Sequence, residues 1–115
     1  VTAEGGTNTT NLQQGLVKSW INFDGTGTIA SRDTFNVSGI ADNGTGLYTV
    51  TFASNMSNAN YATGGGSGEN SQGGGNRMLG LRLRSTSVRE LRSFSVNSGA
   101  TDNAENTCII AGDLA

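Results

Sequence analysis

The 115-residue chain has a formal net charge of −2, no histidine, no proline and a single cysteine. Glycine, threonine, asparagine and serine supply half of the chain and are poor residues for helix interiors, so the composition argues against a helical protein. The weak negative charge argues against a nucleic-acid partner, and the lack of histidine removes the commonest general base and metal ligand. No apolar run approaches the roughly 20 residues that span a bilayer, so we expect no membrane insertion.

The beginning of the chain differs in composition from the rest. Residues 1–15 are rich in threonine, asparagine, glutamine and glycine without an apolar period, which predicts an N-terminal linker or arm. A chain of this length has room for one core, so residues 16–115 are predicted to form a single domain. Since the sequence starts at Val1 and not at methionine, we expect a fragment or a processed product.

Short runs of alternating apolar residues, separated by turn signals, predict strands along the whole domain. The strongest turn signal is the Asp-Asn-Gly-Thr-Gly segment at 42–46. Strands at this spacing, without a helical window, predict an all-β fold, an antiparallel β-sandwich of the jelly-roll-like or Greek-key type, with a barrel as the alternative. The predicted strands are 16–23, 27–30, 34–40, 47–52, 77–84, 88–96 and 107–111.

The alternation also predicts which side chains form the core. Residues 64–76 are predicted to lie outside it, because seven glycines in 13 positions are typical of a long, low-complexity loop. The lone Cys108 lies among apolar neighbours and is predicted to be a small buried side chain. The predicted core residues are Val17, Ile21, Phe23, Phe35, Val37, Tyr48, Val50, Phe52, Leu79, Leu81 and Leu83.

Three features are candidates for receptor binding. The glycine-rich loop exposes backbone that a ligand can approach closely. Trp20, with Asn22 and Lys18 on its strand face, suits stacking on a sugar, although a core or subunit-interface tryptophan is the favoured interpretation. The candidate binding residues are Gly64, Gly65, Gly66, Ser67, Glu69, Asn70, Gln72 and Asn76 in the loop, together with Trp20, Arg82 and Arg84.

Five of the seven basic residues lie in one predicted hairpin: Arg77, Arg82, Arg84, Arg89 and Arg92. Gathered on one surface, they would attract anionic surface polymers such as lipopolysaccharide. The favoured interpretation is a solvated hairpin face that pairs with Glu90. We expect no metal ion and no cofactor, because the aspartates are spaced as turn formers and not as an EF-hand.

Several motifs, in order, resemble a domain found in tail fibres and other virion proteins of tailed bacteriophages. They read K-x-W-x-N-F-x-G-T-G at 18–27, D-T-F-N-V-S at 33–38, D-N-G-T-G-x-Y-x-V-x-F at 42–52 and A-x-Y at 59–61. The resemblance covers about residues 16–61. It implies a homotrimeric module on the phage tail or particle surface, whose partners are its own copies, other virion proteins and host cell-surface polysaccharide.

Three function classes follow from this resemblance and the composition. The first is a tail-fibre or tail-tip domain that recognises a host-surface glycan, and the second is a head-decoration or collar protein with an assembly role alone. The third is a polysaccharide depolymerase, which needs two carboxylates about 5 to 10 Å apart across a sugar groove, such as Asp33 with Glu90. No catalytic residues are assigned, and we do not expect an enzyme.

Overall fold

A computed structural model, which describes residues 5–7, 9, 12–69 and 76–115, places nine strands in two antiparallel sheets that pack against each other. Sheet I has the strand order β2-β1-β9-β5, and sheet II has the order β3-β4-β7-β6, with β8 pairing to β7. This confirms the all-β fold and the antiparallel sandwich. The elements are α1 (Leu12–Gly15), β1 (Val17–Asp24), β2 (Ala30–Phe35), β3 (Val37–Gly44), β4 (Leu47–Phe52), β5 (Ala62–Gly68), β6 (Arg77–Arg84), β7 (Val88–Ser95), β8 (Gly99–Ala100) and β9 (Glu105–Ala111).

The core lies between the two sheets, where every second residue of the central strands points inward. The rings of Phe23 and Tyr48 pack edge to face with their centres 5.0 Å apart, and the rings of Phe52 and Tyr61 pack in the same way with their centres 5.7 Å apart. Of the predicted core, five residues are buried, and Val37 and Leu79 pack against them from the side. The buried apolar residues are Ile21, Phe23, Tyr48, Val50, Phe52, Met56, Tyr61, Leu91, Cys108 and Ile110. Within the described ranges, no helix is long and apolar enough to cross a membrane.

Val17 and Phe35 were predicted to be core residues and are not. The ladder between β1 and β9 shifts between Val17 and Ser19, which turns Val17 to the outer face of sheet I. Phe35 lies directly opposite Trp20 and shares its outward direction. In the single chain, Val17 is 40% exposed and Phe35 is 52% exposed.

Leu81 and Leu83 were also predicted to be in the core, yet both are exposed. They belong to β6, the edge strand of sheet II, whose pairing with β7 shifts between Leu81 and Arg84. Leu81 lies opposite the buried Leu91 and so keeps the core direction, but it is uncovered because β6 is an edge strand. The bulge follows Leu81 and breaks the alternation only at Leu83.

The predicted strand 34–40 is in fact two strands in different sheets. The chain passes from β2 to β3 at Asn36, whose φ of 55° is a left-handed conformation that asparagine tolerates better than most residues. Its Nδ2 donates to the carbonyls of Lys18 at 3.0 Å and Ser54 at 3.1 Å, and its Oδ1 accepts from Ser54 N. The short strand predicted at 27–30 is correspondingly wrong, because the return strand is β2.

The prediction of a loop over 64–76 is wrong for its first five residues, which belong to β5 and pair with β9 from Ala62 to Gly68. Gly65 explains how a glycine run forms a ladder here. A Cβ on Gly65 would lie 2.3 Å from the Thr107 carbonyl oxygen and 3.1 Å from Leu79. Glycine therefore permits a close approach that a side chain would prevent. Residues 70–75 lie outside the described residues.

Candidate functional site

A row of apolar residues crosses all four strands on the outer face of sheet I. Phe35 of β2 lies opposite Trp20 of β1, Trp20 lies opposite Ile109 of β9, and Ile109 lies opposite Gly64 of β5. Directly opposed residues point to the same face of a sheet. Since the neighbours of Ile109 along β9, Cys108 and Ile110, are buried, these four residues point away from the core. We call Phe35, Trp20, Ile109 and Gly64 the apolar row.

The side chains of the apolar row become smaller from β2 to β5. Two aromatic rings occupy β2 and β1, and isoleucine follows on β9. Gly64 on β5 leaves its surroundings open, since a Cβ there would meet no atom within 4 Å. A shallow depression of about 330 Å³ covers the β9–β5 end. Its lining residues are Val17, Ala62, Thr63, Gly64, Ile109, Ile110 and Ala111.

The apolar row is uncovered in the single chain. Phe35 is 52% exposed and Ile109 is 51% exposed, whereas Trp20 is half-buried. Val17 and Ala62, each opposite Ala111, extend the apolar surface along the strands. Contiguous exposed apolar surface on a folded domain marks a contact with another molecule.

The next row on the same face is polar. It runs from Asp33 through Asn22 and Thr107 to Gly66. Arg32 extends over this side, where it donates to Asn22 Oδ1 at 3.2 Å and to the Ala104 carbonyl at 2.7 Å. At the β9–β5 end the polar side contains a second depression, of about 210 Å³, lined by Gly66, Ser67, Gly68, Glu105 and Thr107.

A buried hydrogen-bond network supports this polar depression from within. Asn103 Nδ2 donates to Ser67 Oγ at 2.7 Å, and Ser67 Oγ contacts Asn106 Oδ1 at 2.8 Å. Asn106 Nδ2 donates to the Asn103 carbonyl at 2.9 Å. Arg77 joins the network through Asn103 Oδ1 at 3.3 Å and forms an ion pair with Glu69. These contacts tie the end of β5 to the start of β6.

Sequence reasoning missed this network. Asn103 and Asn106 lie in a segment that looks like an ordinary turn, yet both are buried. Their position between the sheets depends on the pairing of β9 with β5, which no local pattern predicts. The only local signal is the unusual density of asparagine near the last strand.

Of the two residues predicted to share the strand face of Trp20, only Asn22 does so. Asn22 follows Trp20 on the outer face, but Lys18 is buried, because the bulge in β1 rotates the strand at that point. Lys18 Nζ donates to the Leu16 carbonyl at 2.8 Å and to the Gln13 carbonyl. The predicted sugar platform with an ammonium group beside Trp20 is therefore wrong.

The candidate residues of the predicted loop are distributed over several environments. Gly64 and Gly66 lie on the outer face of β5, whereas Gly65 and Ser67 are directed toward sheet II and the buried network. Glu69 pairs with Arg77, and Asn76 Nδ2 donates to Ser95 Oγ at 3.3 Å. Asn70 and Gln72 lie outside the described residues.

The five arginines do not form one basic surface. Arg82 and Arg84 are exposed on the edge strand β6, in the other sheet from Trp20. Arg89 is buried, with its guanidinium 5.9 Å from the centre of the Tyr61 ring, while Arg77 belongs to the buried network. Over the described ranges no arginine forms an ion pair with Glu90, so the predicted pairing is also wrong.

The ionisable groups of the domain have structural surroundings. Hydrogen bonds from the Thr26 hydroxyl and amide lower the pKa of Asp24. Burial raises the pKa of Tyr48, and the hydrogen bond and negative charge of Asp102 raise it further. Burial also raises the pKa of Cys108 to about 11, in line with the buried cysteine that was predicted. In the described part of the chain, no three acidic, cysteine or histidine side chains are grouped to hold a metal ion.

The carboxylate pair considered for a depolymerase is not brought together. Asp33 lies opposite Asn22 on the outer face of sheet I. Glu90 lies between the buried residues Arg89 and Leu91, so it points outward from sheet II. The two groups are on opposite sides of the sandwich and cannot flank one sugar.

The fold and this surface define a β-sandwich domain with an uncovered apolar row and an adjoining polar depression on one sheet. Comparisons with protein-family models, with curated proteins and with solved structures found no match. The functional argument therefore uses the residues of the outer face of sheet I and the motifs of the sequence.

Proposed function

We propose that this chain is a structural domain of a bacteriophage virion, a jelly-roll-like sandwich that assembles as a homotrimer and contributes to recognition of a host-surface glycan in a tail fibre or tail tip. The observation that carries the proposal is the apolar row. A domain that leaves Phe35 and Ile109 half exposed on one sheet gains stability when another molecule covers them. Other virion proteins are the further partners we propose.

The motifs that resemble virion domains meet inside this sandwich. Tyr48 of the second long motif packs on Phe23 of the first, and its hydroxyl lies 3.3 Å from the Gly25 carbonyl. A Cβ on Gly25 would lie 2.2 Å from that hydroxyl, so the glycine makes room for the tyrosine. Tyr61 of the A-x-Y motif packs on Phe52. The motifs therefore specify one core, which supports treating them together as a signature.

For glycan contact we propose the polar depression. Glu105 supplies acceptor oxygens, Thr107 supplies a hydroxyl, and Gly66 and Gly68 leave their backbone accessible. Sugar hydroxyls both donate and accept hydrogen bonds, so this mixture of groups suits them. The depression borders the apolar row, where a sugar chain would also contact apolar carbon.

A head-decoration or collar protein with an assembly role alone is the second candidate. It is favoured by the setting of Trp20, which lies between Phe35 and Ile109 in the apolar row and lacks the ammonium neighbour expected of a sugar platform. We propose no enzymatic activity.

The test of recognition is binding of the purified chain to a panel of bacterial lipopolysaccharides, capsular polysaccharides and teichoic acids. We expect one of these polymers to bind, and Glu105→Ala to weaken binding about tenfold or more through loss of charge-assisted hydrogen bonds. Glu90→Ala, on the outer face of sheet II, is the matched control and should bind as the unmodified chain does. Absence of binding to every polymer would favour the assembly role, and shortening of a polymer would contradict the non-enzymatic proposal.

A further inference from the structure

We infer that the apolar row is covered by a second copy of this chain, and that the Phe35–Trp20 end of one copy sits in the apolar depression at the β9–β5 end of the next. This inference rests on the self-association in the proposed function and specifies the surface that produces it. It concerns the outer face of sheet I alone and does not depend on glycan binding.

The first argument is shape. The same face presents a ridge of two aromatic rings at one end and, at the other, a depression of about 330 Å³ where Gly64 has no side chain. Two copies that met ridge against ridge would leave a gap over each depression. An offset contact instead places the Phe35 ring of one copy over Gly64 of another, and close packing of this kind is typical of subunit interfaces.

The second argument is charge. The apolar row, together with Val17, Ala62 and Ala111, contains no ionisable side chain. The adjoining polar row on the same face carries the carboxylate of Asp33, whose Oδ1 accepts from Thr34 N at 2.9 Å, and beyond it Arg32 Nη2 is 3.7 Å from Asp24 Oδ2. Covering the apolar row itself therefore buries no ionisable side chain, which would otherwise oppose association.

The third argument concerns the identity of the partner. A foreign protein would have to present its own ridge and depression in the matching order, whereas a second copy already carries both. If two copies exchange ridges reciprocally, the contact is isologous and gives a dimer. If the ridge of each copy enters the depression of a different copy, the contact is heterologous and forms a closed ring when the rotation between copies closes. A closed ring of three covers every copy of the apolar row, in agreement with the homotrimer we propose.

The test compares single and paired substitutions by sedimentation velocity, with thermal unfolding to confirm that each variant folds. Gly64→Glu places a carboxylate in the depression, where a Cβ meets no atom within 4 Å in the single chain. Gly39→Glu on β3 of sheet II has the same open space and is the matched control. Phe35→Lys places an ammonium group on the ridge.

We expect the unmodified chain and Gly39→Glu to sediment as trimers. Gly64→Glu and Phe35→Lys should each weaken association about tenfold or more, because each buries an unpaired charge. The chain with both substitutions should recover association, because the two new charges meet across the contact between copies.

The outcomes separate the inference from the proposed function. If Gly64→Glu associates as tightly as Gly39→Glu, another surface joins the copies, and the inference is wrong while self-association stands. If the single substitutions dissociate the chain and the double substitution does not recover it, the ridge does not meet the depression and the inference is also wrong. An unmodified dimer with the expected response to substitution supports the contact and contradicts the homotrimer.

Discussion

At the scale of single residues, Gly65 has a role that its place in a glycine run conceals. It lies opposite Cys108, with the Thr107 carbonyl and Leu79 close to the position of a side chain. Gly64 and Gly66, its neighbours on either side, face open space. The three glycines look equivalent in the sequence, and the pairing of β5 with β9 makes them different.

This difference predicts unequal effects of the same substitution. Gly65→Ala should lower the free energy of unfolding by about 2 kcal/mol, because the new methyl group would lie 2.3 Å from a backbone oxygen that cannot rotate away. Gly66→Ala should change it by about 0.5 kcal/mol or less. Urea unfolding of the two variants measures both values, and equal losses would contradict the close approach of β5 to β9.

Cys108 predicts a dependence of stability on alkaline pH. Its pKa is about 11 in the folded chain against an ordinary value of 9.0. Well below pH 9 the thiol is protonated in both states and has no effect, whereas between about pH 8 and pH 11 the unfolded chain loses the proton first and unfolding is favoured. The loss reaches roughly 2 kcal/mol at pH 11.

Cys108→Ala removes this group and leaves Tyr48 and Tyr61 in place as a control for their own ionisation. The urea midpoint of the unmodified chain should therefore fall more steeply from pH 9 to 11 than that of the variant. Parallel curves would show that the thiol ionises equally in the folded and unfolded chains.

At the scale of elements, local alternation predicted most strands, and it predicted the buried face of a strand where the register stays regular. The segment 47–52 is the clearest case, with Tyr48, Val50 and Phe52 buried on one face. The prediction failed where a feature depends on a distant strand: the change of sheet at Asn36, the pairing of β5, and the bulge in β6. Each of these is decided by tertiary contacts that a period of two residues does not contain.

Asn36 gives an element-scale prediction, because it holds the corner between β2 and β3. Asn36→Ala removes three hydrogen bonds and also places an ordinary residue at a φ of 55°, so we expect a loss of about 3 kcal/mol. Asn36→Gly loses the same bonds without the backbone strain and should be about 1 kcal/mol more stable than the alanine variant. Denaturant unfolding measures the stability of both variants. An alanine variant as stable as the glycine variant would contradict the proposed backbone strain at residue 36.

At the scale of the whole molecule, the sequence predicted the sandwich and most of its core but not which face stays uncovered. Val17 and Phe35 were assigned to the core because their apolar character fits the alternation, yet they lie on the outer face of sheet I. Apolar residues at regular strand positions indicate burial without saying whether the same chain or another copy provides it. In our account another copy provides it, and the residues proposed for glycan contact lie at the border of that surface.

The central claim is that other copies cover the apolar row, and Trp20, the single tryptophan of the chain, lies within it. The most direct measurement is therefore acrylamide quenching of tryptophan fluorescence over a dilution series of the unmodified chain, with sedimentation recorded at each concentration. We predict weak quenching while the chain is associated and a clear increase as it dissociates, because dilution exposes Trp20 to solvent. Quenching that stays constant while sedimentation shows dissociation would contradict the claim, since it would place the contact between copies away from the apolar row.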